Sequence, residues 1–174
     1  MKIIWFGSIN MDLVYAVPHI AVGGETVMSL SRNVYWGGKG LNQAVALAKS
    51  FDGVYMAGFV NENEASVLQY MQENNIDTKY VKFSEKATGH AVIYVDQKGQ
   101  NSITVYSGSN HDFTQDYVTQ VLQDFEKGDI VLLQNEINNL EWVIDAAYAK
   151  GMEVALNPSP FDERILRLPL EKIK

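Results

Sequence analysis

A glycine-rich segment, Gly37–Gly40, followed closely by Asn42, has the residue types of a ligand-binding turn. Glycines let a ligand approach the backbone, and the free N–H groups at a helix N-terminus bind anions or oxygen-rich ligands. A flexible turn between a strand and a helix explains the tetrapeptide equally well. The segment is not a P-loop, because Gly40 stands where serine or threonine should follow the lysine. No G-x-G-x-x-G dinucleotide fingerprint follows the first apolar run either.

A second segment, Gly7–Asp12, holds an amide and a carboxylate two residues apart. In an extended chain Asn10 and Asp12 share one face, where their side chains can donate to and accept from neighbouring hydroxyls of a polyol. The segment follows the first apolar run, and open α/β sheets bind ligands at the carboxyl ends of their strands. An Asx turn that leaves the strand is the alternative explanation.

Glu136 is the third candidate, just after the apolar run Ile130–Leu133. It too is expected at the carboxyl end of a strand, where a carboxylate can accept hydrogen bonds from a ligand. An acidic residue at a helix N-terminus is the alternative, and for Glu136 taken alone it is the better explanation. His19, His90 and His111 lack the spacing of metal ligands, so no metal site is predicted.

The elements that must position these residues alternate short apolar runs with amphipathic segments. Apolar runs joined by helices of about 10–15 residues indicate βαβ units and a parallel sheet. The predicted core strands are Ile3–Phe6, Val54–Val60, Ile130–Leu133 and Val154–Leu156. The predicted helices begin near Gly40, Glu64, Thr114 and Leu140. Thr114 is expected to cap its helix, and Gly151 to end the last one.

Two more polar ribbons, at about 11–36 and 88–107, interrupt this alternation. Within the first ribbon, Leu13–Val17 and Thr26–Trp36 are predicted to be extended, with a glycine turn between them. The second ribbon has the alternating pattern of a hairpin. We expect the two ribbons to form a small separate sheet that projects from the main one.

The composition limits the classes of function that remain. The chain has 174 residues, of which 47% are hydrophobic, and this suffices for a folded core without disulfide or metal staples. A net charge of -7 argues against nucleic-acid binding, which needs basic side chains to neutralise phosphates. The sequence has no apolar window long enough to span a membrane, no signal-peptide pattern and no cysteine, so a cytoplasmic protein is expected.

Taken in order, these segments resemble the ribokinase-like (PfkB) family of carbohydrate kinases, over essentially the whole chain as the N-terminal portion of such an enzyme. The combination is far more specific than any single motif. The matching segments are Gly7–Asp12, Gly24–Val27, Gly37–Ala46, Asn75–Asp77, Thr88–Gly89, Ser107–Asn110, Leu133–Glu136 and Ala155–Pro160. The resemblance implies an α/β fold with an open, mostly parallel sheet, helices on both faces and a small β lid.

The resemblance also implies a set of sugar-binding residues. They are Asn10, Asp12, Gly38, Lys39, Asn42 and Glu136. Asn10 and Asp12 would hydrogen-bond hydroxyls of a ribose-like sugar, and Glu136 would take a further hydroxyl. Gly38, Lys39 and Asn42 would hold the sugar from the glycine-rich turn. The two ribbons would form the lid, which excludes water from the sugar and pairs two subunits as a homodimer.

Two departures from the family pattern affect the expected function. Asn61 and Asn63 stand where the family usually has glycine and aspartate after the second core strand. The N-x-x-E and G-A-G-D motifs, which serve Mg and ATP and supply the catalytic base, have no counterpart in residues 1–174. We therefore expect the sugar-binding N-terminal portion of an ATP-dependent kinase, with no catalytic or metal-binding residue and no activity alone. A stand-alone sugar-binding or dimerisation module is the alternative.

Overall fold

A five-stranded parallel sheet forms the centre of the protein, and the computed structural model describes all residues from Met1 to Lys174. Its strands, from one edge to the other, are β5 (Ile76–Ser84), β4 (Val54–Asn61), β1 (Ile3–Phe6), β8 (Ile130–Gln134) and β9 (Glu153–Asn157). Every neighbouring pair is parallel. The predicted α/β class is confirmed, as are the four predicted core strands.

Helices cover both faces of this sheet. They are α1 (Lys39–Ala48), α2 (Ser66–Glu73), α3 (Gln115–Leu122) and α4 (Leu140–Ala149). The central strand β1 is buried on both sides, with Ile4 and Phe6 packed in the core beside α3 and α4. Ile3 and Trp5 pack in the core beside α1 and α2. A strand covered on both faces needs apolar residues at every position, which explains the continuous apolar runs in the sequence. None of these helices has the length and apolar character needed to cross a lipid bilayer.

A second, four-stranded sheet comes from the two polar ribbons, which confirms the predicted separate sheet. Its strands, in spatial order, are β3 (Ser31–Gly37), β2 (Asn10–Ala16), β6 (Gly89–Val95) and β7 (Asn101–Tyr106). β2 and β6 are parallel, and the two outer pairs are antiparallel. The predicted extended stretch from Thr26 is wrong at its start, because β3 pairs only with the seven residues of β2 and so begins at Ser31.

One strand of the main sheet was absent from the sequence prediction. β5 lies at the edge of the sheet and pairs only with β4. Its exposed positions include Lys79 and Lys82, while Ile76 and Tyr80 are buried. Lysines on an edge strand discourage pairing with other chains, and here they also break the apolar run that identified the other core strands.

The predicted ends of two helices are confirmed. The hydroxyl of Thr114 accepts a hydrogen bond from the backbone N–H of Tyr117 at 3.2 Å, which satisfies one free donor of α3. Gly151 has a φ of 74° and follows the last residues of α4. This left-handed conformation is favourable for glycine and ends the helix.

Asn61, at one of the family departures, connects the main sheet to the segment that enters the second sheet. Its φ of -74° and ψ of 147° are ordinary extended values, so the position does not require glycine. The side-chain amide donates to the carbonyls of Ser84 and Lys86, both at 3.1 Å, and its oxygen accepts from the backbone of Asn63. An asparagine therefore stabilises this turn through contacts that glycine could not make.

Candidate functional site

The three candidate segments meet because their strands are neighbours. β1 and β8 pair in parallel with Phe6 opposite Leu133, so the chain leaves both strands at the same edge of the sheet. Ser8 and Asn10 follow β1, and Glu136 follows β8. Asp12 lies two residues further along the chain from Asn10, on β2 of the second sheet. The site thus lies where the two sheets join.

Glu136 is held at the N-terminus of α1 by two hydrogen bonds and an ion pair. Its Oε2 accepts from the hydroxyl of Ser8 at 2.5 Å and from the backbone N–H of Lys39 at 2.9 Å. Its Oε1 lies 3.0 Å from the ammonium of Lys39. A carboxylate at this position also interacts favourably with the helix dipole. Glu136 is therefore an acid at a helix N-terminus, but of α1 rather than of the helix that follows it in sequence.

The glycine-rich turn serves close packing of backbone against backbone. Gly38 has a φ of 92°, and a β-carbon there would lie 2.9 Å from the carbonyl oxygen of Ser8. A β-carbon on Gly40 would lie only 2.6 Å from the backbone nitrogen of Ser8. Both glycines are thus needed for the segment after β1 to contact the start of α1.

The N–H groups at the start of α1 are already occupied. Lys39 donates to Glu136, Gly40 donates to the hydroxyl of Ser8 at 3.2 Å, and Leu41 donates to the carbonyl of Ser8 at 3.0 Å. This helix N-terminus therefore has neither the free donors nor the positive potential that a nucleotide phosphate needs, and phosphate does not fit there.

Asp12 stands beside this cluster with both carboxylate oxygens free of hydrogen bonds within the protein. Gly37, on the neighbouring strand, gives it room, because a β-carbon there would lie 2.1 Å from Oδ2 of Asp12. Burial raises the pKa of Asp12, the charge of Glu136 raises it further, and Lys39 acts in the opposite direction. Asp12 thus lies within electrostatic reach of both side chains.

Asn10 lines a cavity of about 230 Å³ between the two sheets, together with Glu136. The complete lining is Ser8, Asn10, Val105, Ser107, Asn110, His111, Asn135, Glu136, Pro160 and Arg164. Asn10 is 5% exposed, and its Oδ1 accepts a hydrogen bond from Asn110 at 2.7 Å. Amide, hydroxyl and carboxylate groups dominate this lining, which suits a small polar ligand rich in hydroxyls.

Asn42 lies on the first turn of α1, where it is exposed. Like Asp12, it forms no side-chain hydrogen bond to Glu136 or Lys39. Its role stays a prediction, as do the roles of the other five residues.

Sequence reasoning assigned no role to four further residues near the cavity: Ser8, Asn110, His111 and Arg164. Asn110 lies in Ser107–Asn110, one of the segments that resemble the family, but the resemblance gave this residue no role. Arg164 enters from the stretch after β9 and is paired with Asp162 at 2.7 Å. Burial, followed by the charges of Arg164 and Lys86, lowers the pKa of His111.

A parallel α/β sheet is joined to a small second sheet, and polar groups that can hydrogen-bond hydroxyls line the cavity between them. The family model described as "pfkB family carbohydrate kinase" matches residues 1–172. The chain therefore belongs to the pfkB family of carbohydrate kinases.

Individual relatives agree with this assignment. The chain is similar to a ribokinase of Bacillus subtilis, with 36% identity over 161 residues, which cover 88% of this chain and 54% of the relative. A deoxyribokinase of Salmonella typhi is 32% identical over 92% of this chain and 54% of its own length. The chain thus spans about half the length of the curated relatives it matches.

Solved structures show the same fold. The ribokinase of Cryptococcus neoformans in complex with ADP superposes with a TM-score of 0.84 and 26% identity, covering 99% of this chain and 55% of that one. The ribokinase of Arabidopsis thaliana complexed with ribose and ATP gives a TM-score of 0.74 and 27% identity, over 91% of this chain and 53% of that one. These similarities support the open α/β sheet and the small second sheet as features of ribokinase-like structures.

Proposed function

We propose that this chain binds a ribose-like sugar in the cavity between the two sheets, as the sugar-binding portion of an ATP-dependent carbohydrate kinase. The observation that carries the proposal is the set of polar groups that remain available in this cavity and next to it. Glu136 lines the cavity, and its Oε1 has only the ion pair with Lys39. Asp12, which lies outside the lining but interacts electrostatically with Glu136, has no hydrogen-bond partner for either oxygen. A pentose presents adjacent hydroxyls that each donate and accept, which matches these groups.

The proposal assigns the sugar contacts to Asn10, Asp12, Gly38, Lys39, Asn42 and Glu136, as the family resemblance implies. Within this set the structure suggests a division of tasks. Lys39 and the glycine-rich turn hold the carboxylate of Glu136, whereas Asp12 and Asn10 offer side-chain atoms that no other group uses. The ribokinase and deoxyribokinase relatives make ribose and 2-deoxyribose the first sugars to test.

We also propose that the 174-residue chain does not transfer a phosphoryl group by itself. Phosphoryl transfer depends on positioned charges, a metal ion and a residue that orients the nucleophile. The start of α1 does not supply a phosphate cradle, because its N–H groups bind Glu136 and Ser8. ATP and Mg would be held by parts of a longer family member.

The second sheet is proposed to act as the lid over the sugar and as a homodimer contact, with lid strands within about 11–36 and 88–107. Its exposed side chains include several large apolar residues: Val34, Tyr35, Tyr94, Ile103, Val105 and Tyr106. An apolar surface of this kind is typical of an interaction site.

A cytoplasmic location completes the proposal and rests on the sequence alone.

Calorimetry of the intact chain with ribose, combined with a substitution at Asp12, tests the sugar-binding part. Asp12→Asn removes a charge from a side chain that makes no hydrogen bond in the protein, so it should weaken ribose binding about tenfold without unfolding the chain. Asp52→Asn, in an exposed turn, makes the same change in charge and should leave binding unchanged. Absence of binding to any pentose would refute the sugar site.

A coupled assay with Mg-ATP tests the proposal that the chain alone has no kinase activity. We expect ribose phosphorylation no higher than in a control without protein, and a higher rate would show that the chain is a complete kinase. Binding without turnover also fits the second candidate, a stand-alone sugar-binding or pairing module.

A further inference from the structure

Asn110 and Asn10 form a buried pair of amides at the wall of the cavity. Asn110 belongs to the short helical turn Gly108–His111 and is 2% exposed. Its Oδ1 accepts from the backbone N–H of Ile9 at 2.9 Å, and its Nδ2 donates to Oδ1 of Asn10 at 2.7 Å. One side chain thus contacts both the backbone before β2 and the first side chain of that strand.

This pair determines which end of the Asn10 amide faces the cavity. A backbone N–H can only donate, so the atom of Asn110 that meets Ile9 must be its oxygen. The nitrogen of Asn110 then meets Asn10 and requires an acceptor, which is Oδ1 of Asn10. The remaining group of Asn10, its Nδ2, has no hydrogen-bond partner in the protein and is not sealed from solvent.

Gly89 shows that the packing around this pair is specific. It lies directly opposite Asn10 in the ladder between β2 and β6. A β-carbon on Gly89 would lie 2.1 Å from Nδ2 of Asn110 and 2.5 Å from Oδ1 of Asn10. Any side chain at this position would therefore separate the two amides.

We propose that Asn110 is a positioning residue for sugar binding, which holds Asn10 with its Nδ2 donor toward the cavity. The proposal rests on the proposed function, since it assumes a ligand that carries hydroxyls. Asp12 and Glu136 are acceptors, and a donor fixed beside them meets the lone pair of a hydroxyl oxygen. The site then discriminates against a sugar that lacks oxygen at that one position.

The first test uses NMR of the ligand-free, ¹⁵N-labelled chain and requires no sugar. The side-chain NH₂ of Asn110 should exchange slowly with solvent and show NOEs to the start of β2, whereas the NH₂ of Asn10 should exchange rapidly. A slowly exchanging NH₂ on Asn10 with a rapidly exchanging one on Asn110 overturns the proposal. Because no ligand is present, this result is independent of whether the chain binds sugar.

The second test compares Asn110→Asp with Asn10→Asp by calorimetry against ribose and its monodeoxy analogues. An aspartate at 110 still accepts from Ile9 but cannot donate, so Asn10 must turn and present an oxygen to the cavity. Both variants should bind ribose about tenfold more weakly and lose the preference for ribose over the same one deoxy-pentose. A purely structural defect would instead weaken all of the sugars by one common factor.

Asn138→Asp is the matched control, since Asn138 also bridges backbone groups, at Phe113, but does not contact Asn10. It should keep the full preference among the deoxy-pentoses. Wild-type affinity or an unchanged preference in Asn110→Asp overturns the proposal. If the wild-type chain binds no pentose while the exchange pattern is as expected, the proposed function fails and the orientation of Asn10 stands.

Discussion

Replacing Glu136 by glutamine removes the negative charge that lies at the N-terminus of α1. The Oε2 of this carboxylate accepts from Ser8 and from the backbone N–H of Lys39, and Oε1 forms the ion pair with the Lys39 ammonium. Glutamine can place its carbonyl oxygen where Oε2 lies and keep both hydrogen bonds, but they become neutral, and its NH₂ group then faces the ammonium. Hydrogen bonds to a charged group contribute about 1.5–3 kcal/mol each and neutral ones about 0.5–1.5 kcal/mol, so each bond loses about 1 kcal/mol, and the lost ion pair adds up to about 1 kcal/mol. We therefore expect Glu136→Gln to lower the free energy of unfolding by about 2–3 kcal/mol.

Urea denaturation followed by circular dichroism measures this loss. For a chain of this size m is roughly 2 kcal/mol/M, so the midpoint should fall by about 1 M with no change in m. Glu141→Gln is the matched control, because Glu141 is an acid in the first turn of α4, where the helix dipole contributes only about 0.3–1 kcal/mol.

Lys39→Met removes the ion pair with Glu136 but keeps the backbone hydrogen bond, so it measures the two contributions separately. The Lys39 side chain is 39% exposed, and an ion pair with such exposure contributes at most about 1 kcal/mol. Lys39→Met should therefore cost clearly less than Glu136→Gln, because it keeps the backbone N–H that Glu136 accepts from. The reasoning is refuted if the two variants are equally unstable, or if Glu136→Gln lies within about 0.5 kcal/mol of the wild type.

Two further predictions concern backbone packing and pH. Gly40→Ala should destabilise the chain by about 2 kcal/mol or more in the same urea assay, because its β-carbon would lie 2.6 Å from the Ser8 nitrogen. Gly23→Ala, with no atom within 4 Å, should cost less than about 0.5 kcal/mol, and an equal loss in both would contradict the steric argument. Hydrogen bonds from Arg164 lower the pKa of Asp162 to about 2. Its contribution to stability is therefore present above pH 4 and lost as the pH falls toward 2, and an NMR titration should show the Asp162 pKa rising in Arg164→Met.

The main sheet could be predicted from sequence because its strands are buried on both faces. Ile3–Phe6 and Ile130–Leu133 are continuous apolar runs for that reason. β5 could not be predicted in the same way, because the exposed Lys79 and Lys82 interrupt its apolar residues. β9, at the other edge of the sheet, keeps the apolar run Val154–Leu156 and was predicted. The strand prediction therefore failed where charged residues broke the apolar run.

The site was predictable in its residue types but not in its connections. The position of Glu136 after a strand follows from the order of the apolar runs. Its hydrogen bond to Lys39 joins residues 97 positions apart, and that of Asn10 to Asn110 joins residues 100 apart. No local pattern encodes such contacts, since they depend on which strands become neighbours. For the same reason, sequence alone left open whether the glycine-rich turn binds a ligand or is a flexible turn, and it could not show that Glu136 and Ser8 accept from the N–H groups there.

The charge balance at the join of the two sheets favours a neutral ligand there. Asp12 and Glu136 bring two carboxylates near a single ammonium, that of Lys39, and the resulting repulsion contributes to the raised pKa of Asp12. An anionic ligand beside Asp12 would add to this repulsion. Sugar hydroxyls, by contrast, can donate to both carboxylates without adding charge, and they stabilise the ionised form of Asp12 when they do so. The electrostatics around Asp12 therefore favour a free sugar over a sugar phosphate as the ligand of the proposed site.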